Sequence, residues 1–72
     1  MDRFSVVARL EGDLDDYQVI NKINNNHFSH LKFTHGSFAN MHCWSFTSQE
    51  QAEEAKQILE NMGVTEVELK EK

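Results

Sequence analysis

Five side chains able to ligate metal or act as nucleophiles fall within 17 positions: His27, His30, His35, His42 and Cys43. Imidazole and thiolate are zinc ligands, and a thiol beside an imidazole is the pair that activates a cysteine nucleophile. Spacing argues against both chemistries. On a strand His27 and His30 project to opposite faces, and so do the neighbours His42 and Cys43. Only His30 and His42 could meet across two strands, and two ligands fall short of a closed zinc site. Cys43 is the single cysteine, which excludes an internal disulfide and a multi-thiol zinc knuckle. Gly12, Gly36 and Gly63 are isolated at element ends and build no phosphate loop. Asp13, Asp15 and Asp16 cluster where a helix starts, a place where capping and the helix dipole account for carboxylates without acid–base catalysis. The expectation is a chain with no catalytic residues, no metal and no cofactor.

The elements that would position these residues follow from periodicity. Phe4, Val6, Ala8 and Leu10 alternate with Ser5, Val7 and Arg9, a strand with one buried face. Asp13 is placed to cap a helix carrying Tyr17, Val19, Ile20 and Ile23, with Asp15 and Asp16 in its first turn and Asn24-Asn25-Asn26 at its end. Residues 27–34 and 38–46 alternate and are rich in aromatic and β-branched types, so they predict a hairpin turning at His35-Gly36, with a positive φ at the glycine. Ser48 and Gln51 fit a capping box opening a second helix with Ala52, Ala55, Ile58, Leu59 and Met62 on one side. Gly63 and Val64 fit a Schellman end. A last strand places Val67 and Leu69 inward.

The order β-α-β-β-α-β resembles ferredoxin-like domains, which implies an α+β sandwich over residues 1–72 as a single domain. Its antiparallel sheet would run in the order 4-1-3-2, with both helices on one face. From Phe46 to Ala55 the chain also resembles the junction of third strand and second helix in RNA-recognition-motif domains, through Phe46, Ala52 and Ala55. That resemblance implies a register with Trp44 and Phe46 inward. It places Met41 and Cys43 where that family stacks bases on aromatic rings, which disfavours RNA binding of the usual kind.

The hairpin's phase decides which residues are exposed. With an even loop, Phe33, Phe38, Leu31, Trp44 and Phe46 face the helices, Asn40, His42 and Ser29 turn inward needing hydrogen-bond partners, and Phe28, His30 and Lys32 join Met41 and Cys43 on the open sheet face. With an odd, bulged loop the open face carries Phe28, His30, Lys32, Phe38, Asn40, His42, Trp44 and Phe46. A chain of 72 residues needs its large side chains inside, which favours the first phase.

Charge supplies the remaining direction. Twelve acids against seven bases give a net of −5, unfavourable for binding a phosphate backbone. All twelve acids lie in residues 1–16 or 50–72; those two ends also hold five bases and net −7, while residues 17–49 hold only Lys22 and Lys32 and net +2. No apolar run reaches membrane-spanning length and no signal peptide is evident, so a cytoplasmic address is expected. The expected function is that of a small acidic, non-enzymatic regulatory protein that binds other proteins. It would pair as a homodimer through a sheet face of Val7, Arg9, Phe28, His30, Lys32, Met41 and Cys43. Its acidic half, Glu50, Glu53, Glu54, Glu60, Glu66, Glu68 and Glu71, would meet a basic partner, such as a nucleic-acid-binding protein whose groove it occupies as an inhibitor. The alternative is a nucleic-acid or small-ligand module using Phe28, His30, Lys32, His42 and Trp44; a small enzyme or metal-binding protein is third.

Overall fold

The computed structural model describes residues 3–71, with only the backbone at Leu14 and Asp15. Strand β1 (Phe4–Arg9) buries Val6 and Ala8 and turns Val7 outward, as its alternation requires. It pairs antiparallel with β3 (Met41–Phe46) on one side and β4 (Val67–Glu71) on the other; β2 (Thr34–Phe38) pairs with β3, giving the order β2-β3-β1-β4. Helices α1 (Tyr17–Lys22) and α2 (Gln49–Asn61) contribute to one core on one side of this sheet. The α+β architecture and strand order therefore agree with the sequence expectation.

Local chemistry explains the helix ends. A 3-10 turn, Gly12–Asp15, precedes α1, and the residue that caps α1 is Asp16, whose Oδ1 accepts from the Gln18 N–H at 2.7 Å. Asp13, the expected cap, lies inside that turn, and the Asp15 side chain is outside the described residues. Helix α1 does not stop at the asparagines. It continues as a wide π-type turn, Ile23–His27, closed by the Phe28 N–H on the Ile23 carbonyl at 2.8 Å. Ser48 caps α2 through the Gln51 N–H, but the Gln51 side chain accepts from the Lys32 N–H at 3.1 Å instead of completing the box, which ties the 28–33 loop to α2. At the other end Gly63, φ 92°, donates to the Glu60 carbonyl and Val64 to that of Leu59, the expected Schellman bonds.

The hairpin departs from expectation. Its turn is Ala39-Asn40, with Ala39 at φ 56°, while Gly36 sits inside β2 without a positive φ. Residues 28–33 form a turn and a short loop instead of a strand: Leu31 N–H bonds the Phe28 carbonyl at 3.0 Å, and Phe28 and Leu31, three apart, are both buried. The driving force is the core. Phe28 is fully buried and meets Phe33, Trp44 and Phe46 edge-on, with ring centroids 5.7, 5.7 and 6.5 Å away. Placing Phe28 in a strand on the open face would take its ring out of that cluster.

Candidate functional site: the open sheet face and the histidine cleft

The β1–β3 register, Val6 against Trp44 and Val7 against Cys43, fixes the sheet's two faces. Trp44 and Phe46 point inward and are fully buried, as the preferred phase requires. Val7, Arg9, Met41 and Cys43 lie on the helix-free face, where they were expected. Phe28, His30 and Lys32 do not. Phe28 is in the core; His30 Nε2 meets Glu54 Oε2 on α2; and the Lys32 backbone is bound to Gln51, so the loop carrying all three lies against the helix layer. Phe38 reverses in the other direction. Expected inward, it stands on the open face opposite Met41 and is 85% exposed, because the shifted turn transfers it from β3, where even-numbered residues face inward, to β2, where odd-numbered ones do. Ser29, also expected inward, is exposed and donates to the Asn26 carbonyl; Asn40 forms the turn and its carbonyl accepts from Leu10 N–H at 2.9 Å.

The open face is thus apolar toward β2 and β3 and charged toward β4. A groove of ≈ 500 Å³ runs over Val7 and Met41 and is bordered by Glu66, Glu68 and Lys70. A smaller, almost wholly apolar depression joins Val7, Gly36, Phe38, Met41 and Cys43. Cys43 Sγ lies 3.8 Å from Ser45 Oγ on this face, with Val7 and Gly36 opposite it, so no thiolate–imidazole pair occurs among the described residues.

The seven glutamates of the acidic half are all exposed and lie on α2 or in the β4 region. Three are engaged within the chain: Glu54 with His30, Glu60 with Lys56 at 3.5 Å, and Glu68 with Lys70 at 3.9 Å. Glu50, Glu53, Glu66 and Glu71 have no ion pair among the described residues, so their field is directed at solvent.

On the inner face the structure brings together a group that spacing did not reveal. His35 Nε2 and His42 Nδ1 are 3.1 Å apart in coplanar rings, and both rings lie at 25° to the Trp44 indole. The Trp44 N–H donates to Asn24 Oδ1 at 2.8 Å, which supplies the partner that a buried indole requires. Burial, then repulsion by His42, holds the His35 imidazole below its ordinary value of 6.5. The two rings border a cleft of ≈ 350 Å³ that opens beside β2 and is also lined by Tyr17, Asn21, Asn24 and Ser37. Because ring nitrogens aimed at one another share a proton, this is a hydrogen-bonded pair. No group of three or more potential ligands occurs among the described residues. The signal available in the sequence was the two-residue spacing from His42 to Trp44, which places both on one face of a strand; what hid the pair was a turn assigned four residues too early.

The residues of the alternative, nucleic-acid reading are dispersed. Phe28 and Trp44 are fully buried, His42 is 6% exposed, and His30 and Lys32 sit beside α2, so they form no common stacking surface. Among the described residues no helix is long and apolar enough to cross a membrane. No protein-family model, curated protein or solved structure matches this chain.

Proposed function

We propose that this chain is a non-enzymatic regulatory protein that binds another protein, and that this partner is basic. The observation that carries the reading is the groove over Val7 and Met41 with Glu66 and Glu68 along its border. An apolar floor beside carboxylates, with Lys70 held against Glu68, suits an apolar side chain flanked by lysine or arginine, while the unpaired Glu50 and Glu53 on α2, on the other side of the sheet, add only to the long-range field that steers a basic partner. A basic surface built for nucleic acid has this character, and occupying it would make the chain an inhibitor. Self-association belongs to the same reading, because Phe38 at 85% and Met41 at 40% exposure stand out of a small apolar face that a second copy would remove from water.

The test is affinity capture from the native cell, identification of the partner, and titration of the purified pair at several salt concentrations. Binding is expected to weaken steeply with salt, to weaken further with Glu66→Lys and Glu53→Lys, and to compete with an oligonucleotide if the partner binds nucleic acid. Affinity unchanged by salt and by both reversals would remove the proposal.

A further inference from the structure

Strand β2 is an edge of the sheet, and its five residues, Thr34, His35, Gly36, Ser37 and Phe38, carry no formal charge with histidine neutral. The opposite edge, β4, carries Glu68, Lys70 and Glu71. Charged residues are the common protection of an edge against another strand, and β2 lacks them. The two most exposed large hydrophobic side chains of the described residues flank this edge, one on each side of the sheet. Phe38, 85% exposed, projects to the open face, and Tyr17, 78% exposed, borders the cleft over His35 and Ser37. Gly36 adds a third observation. It has no positive φ and a Cβ built on it meets nothing within 4 Å, so neither the backbone nor the packing of the single chain requires a glycine there. A glycine inside a strand weakens it and marks places where something else comes close.

We propose that β2 pairs antiparallel with β2 of a second copy about a two-fold axis at Gly36, extending the sheet from four strands to eight. The inference rests on the self-association in the preceding reading, is independent of the basic partner, and moves the contact from the sheet's face to its edge. Hydrogen-bond phase fixes the register. Phe38 and Met41 flank a two-residue turn and are a hydrogen-bonded pair, so alternation directs the backbone of Thr34 and Gly36 toward β3 and leaves the N–H and C=O of His35 and Ser37 pointing away from it. With the axis at Gly36, His35 faces the second copy's Ser37 and the two exchange both bonds; by symmetry the same happens on the other side of the axis. Phe38 then lies diagonal to the glycine of the second copy, whose missing side chain leaves room for the ring, a pairing in which an aromatic covers a strand glycine. Charge selects a second copy at this edge and not at β4. Two chains of net −5 repel, but residues 17–49, which contain α1 and the whole hairpin, hold no acid.

The experiment combines sedimentation over a concentration series with register-specific cross-linking. Wild-type protein is expected to show a species of twice 8.4 kDa, and Ser37→Pro, which removes an outward N–H without touching a β2–β3 bond, is expected to raise its dissociation constant at least about tenfold. In a Cys43→Ser background, Gly36→Cys is expected to give a covalent dimer on mild oxidation, since opposed residues of a non-hydrogen-bonded pair lie about 4.5 Å apart, inside the disulfide window. Thr34→Cys is expected to cross-link at least tenfold less, its two copies being about 13 Å apart at ~3.3 Å per residue. Equal yields at both positions, or a wild-type dimer cross-linked through Cys43, would overturn the edge and leave self-association standing. Wild-type protein that stays at 8.4 kDa throughout would overturn both.

Discussion

Exchanging the roles of Phe28 and Phe38 tests the hairpin's architecture. The structure buries Phe28 completely among Phe33, Trp44 and Phe46 and leaves Phe38 85% exposed, whereas the alternation of residues 27–34 and 38–46 puts the first outside and the second inside. Phe28→Ala removes the fully buried ring and leaves a cavity that helices and sheet can only partly close, at a cost of about 3–5 kcal/mol. Three edge-on ring contacts, each about 0.5–1.5 kcal/mol beyond area burial, place it toward the upper end. A chain of 72 residues has about 4–11 kcal/mol in total, so the alanine variant is close to unfolded and Phe28→Leu is the measurable companion. Phe38→Ala, at concentrations below self-association, is expected to stay within about 0.5 kcal/mol of wild type. Urea titration followed by Trp44 emission reads all three variants, with the slope checked for two-state behaviour. Phe28→Ala near wild type, or Phe38→Ala costing more than Phe28→Leu, would refute the placement of residues 28–33 and with it the turn at Ala39-Asn40.

Acidification should destabilise the chain through His35. Its imidazole is held below 6.5 in the folded state, so the unfolded chain binds the proton more readily; stability is unaffected above that pH and falls as pH drops below it, by no more than about 1.4 kcal/mol per unit for one proton, until the folded-state value is passed. The stability of wild type minus His35→Gln at pH 7.5, 6.5 and 5.5 isolates this contribution, and a difference that grows in favour of wild type on acidification would contradict it. Ala39→Gly should raise the unfolding free energy by about 0.5–1 kcal/mol, read as a higher urea midpoint at unchanged slope, because the strain of a positive φ exceeds the glycine's added unfolded-state entropy; an unchanged or lower midpoint would show the turn to be misplaced.

Legibility followed the length of the physical signal. Strand β1 and helix α2 were readable because several consecutive positions agree: Val6 and Ala8 at period two, and Ala52, Ala55 and Leu59 at spacings of three and four, with Ser48 and Gly63 marking the ends of α2. The sheet order followed from the sequence of elements. The hairpin was not readable, since the apolar positions of 27–34 fit a turn that buries Phe28 and Leu31, three apart, as well as they fit a strand that buries Leu31 and Phe33. Glycine is also a weak marker when a non-glycine residue, Ala39, takes the positive φ. Trp44 inward was reached correctly from the size of the core; its partner Asn24 depends on α1 continuing through a π-type turn that poor local helix propensity concealed, and the partner of His42, His35, depends on the turn lying at Ala39-Asn40.

Charge layout and edge protection are one property in this fold. The order β2-β3-β1-β4 sends the two edges to opposite ends of the charge distribution: β2 lies in the acid-free stretch, and β4 lies in the acid-rich one beneath α2. At β4, Glu68 and Glu71 make approach by another copy of this chain unfavourable, while a basic surface is attracted there. At β2 neither effect operates, and what remains is backbone hydrogen bonding and the exposed rings of Phe38 and Tyr17. Ionic strength therefore acts oppositely on the two surfaces. Under the proposed function, added salt would screen the attraction of a basic partner to the glutamates and also the residual repulsion between two chains of net −5, so the proposed self-association would be favoured under the conditions that release the proposed partner.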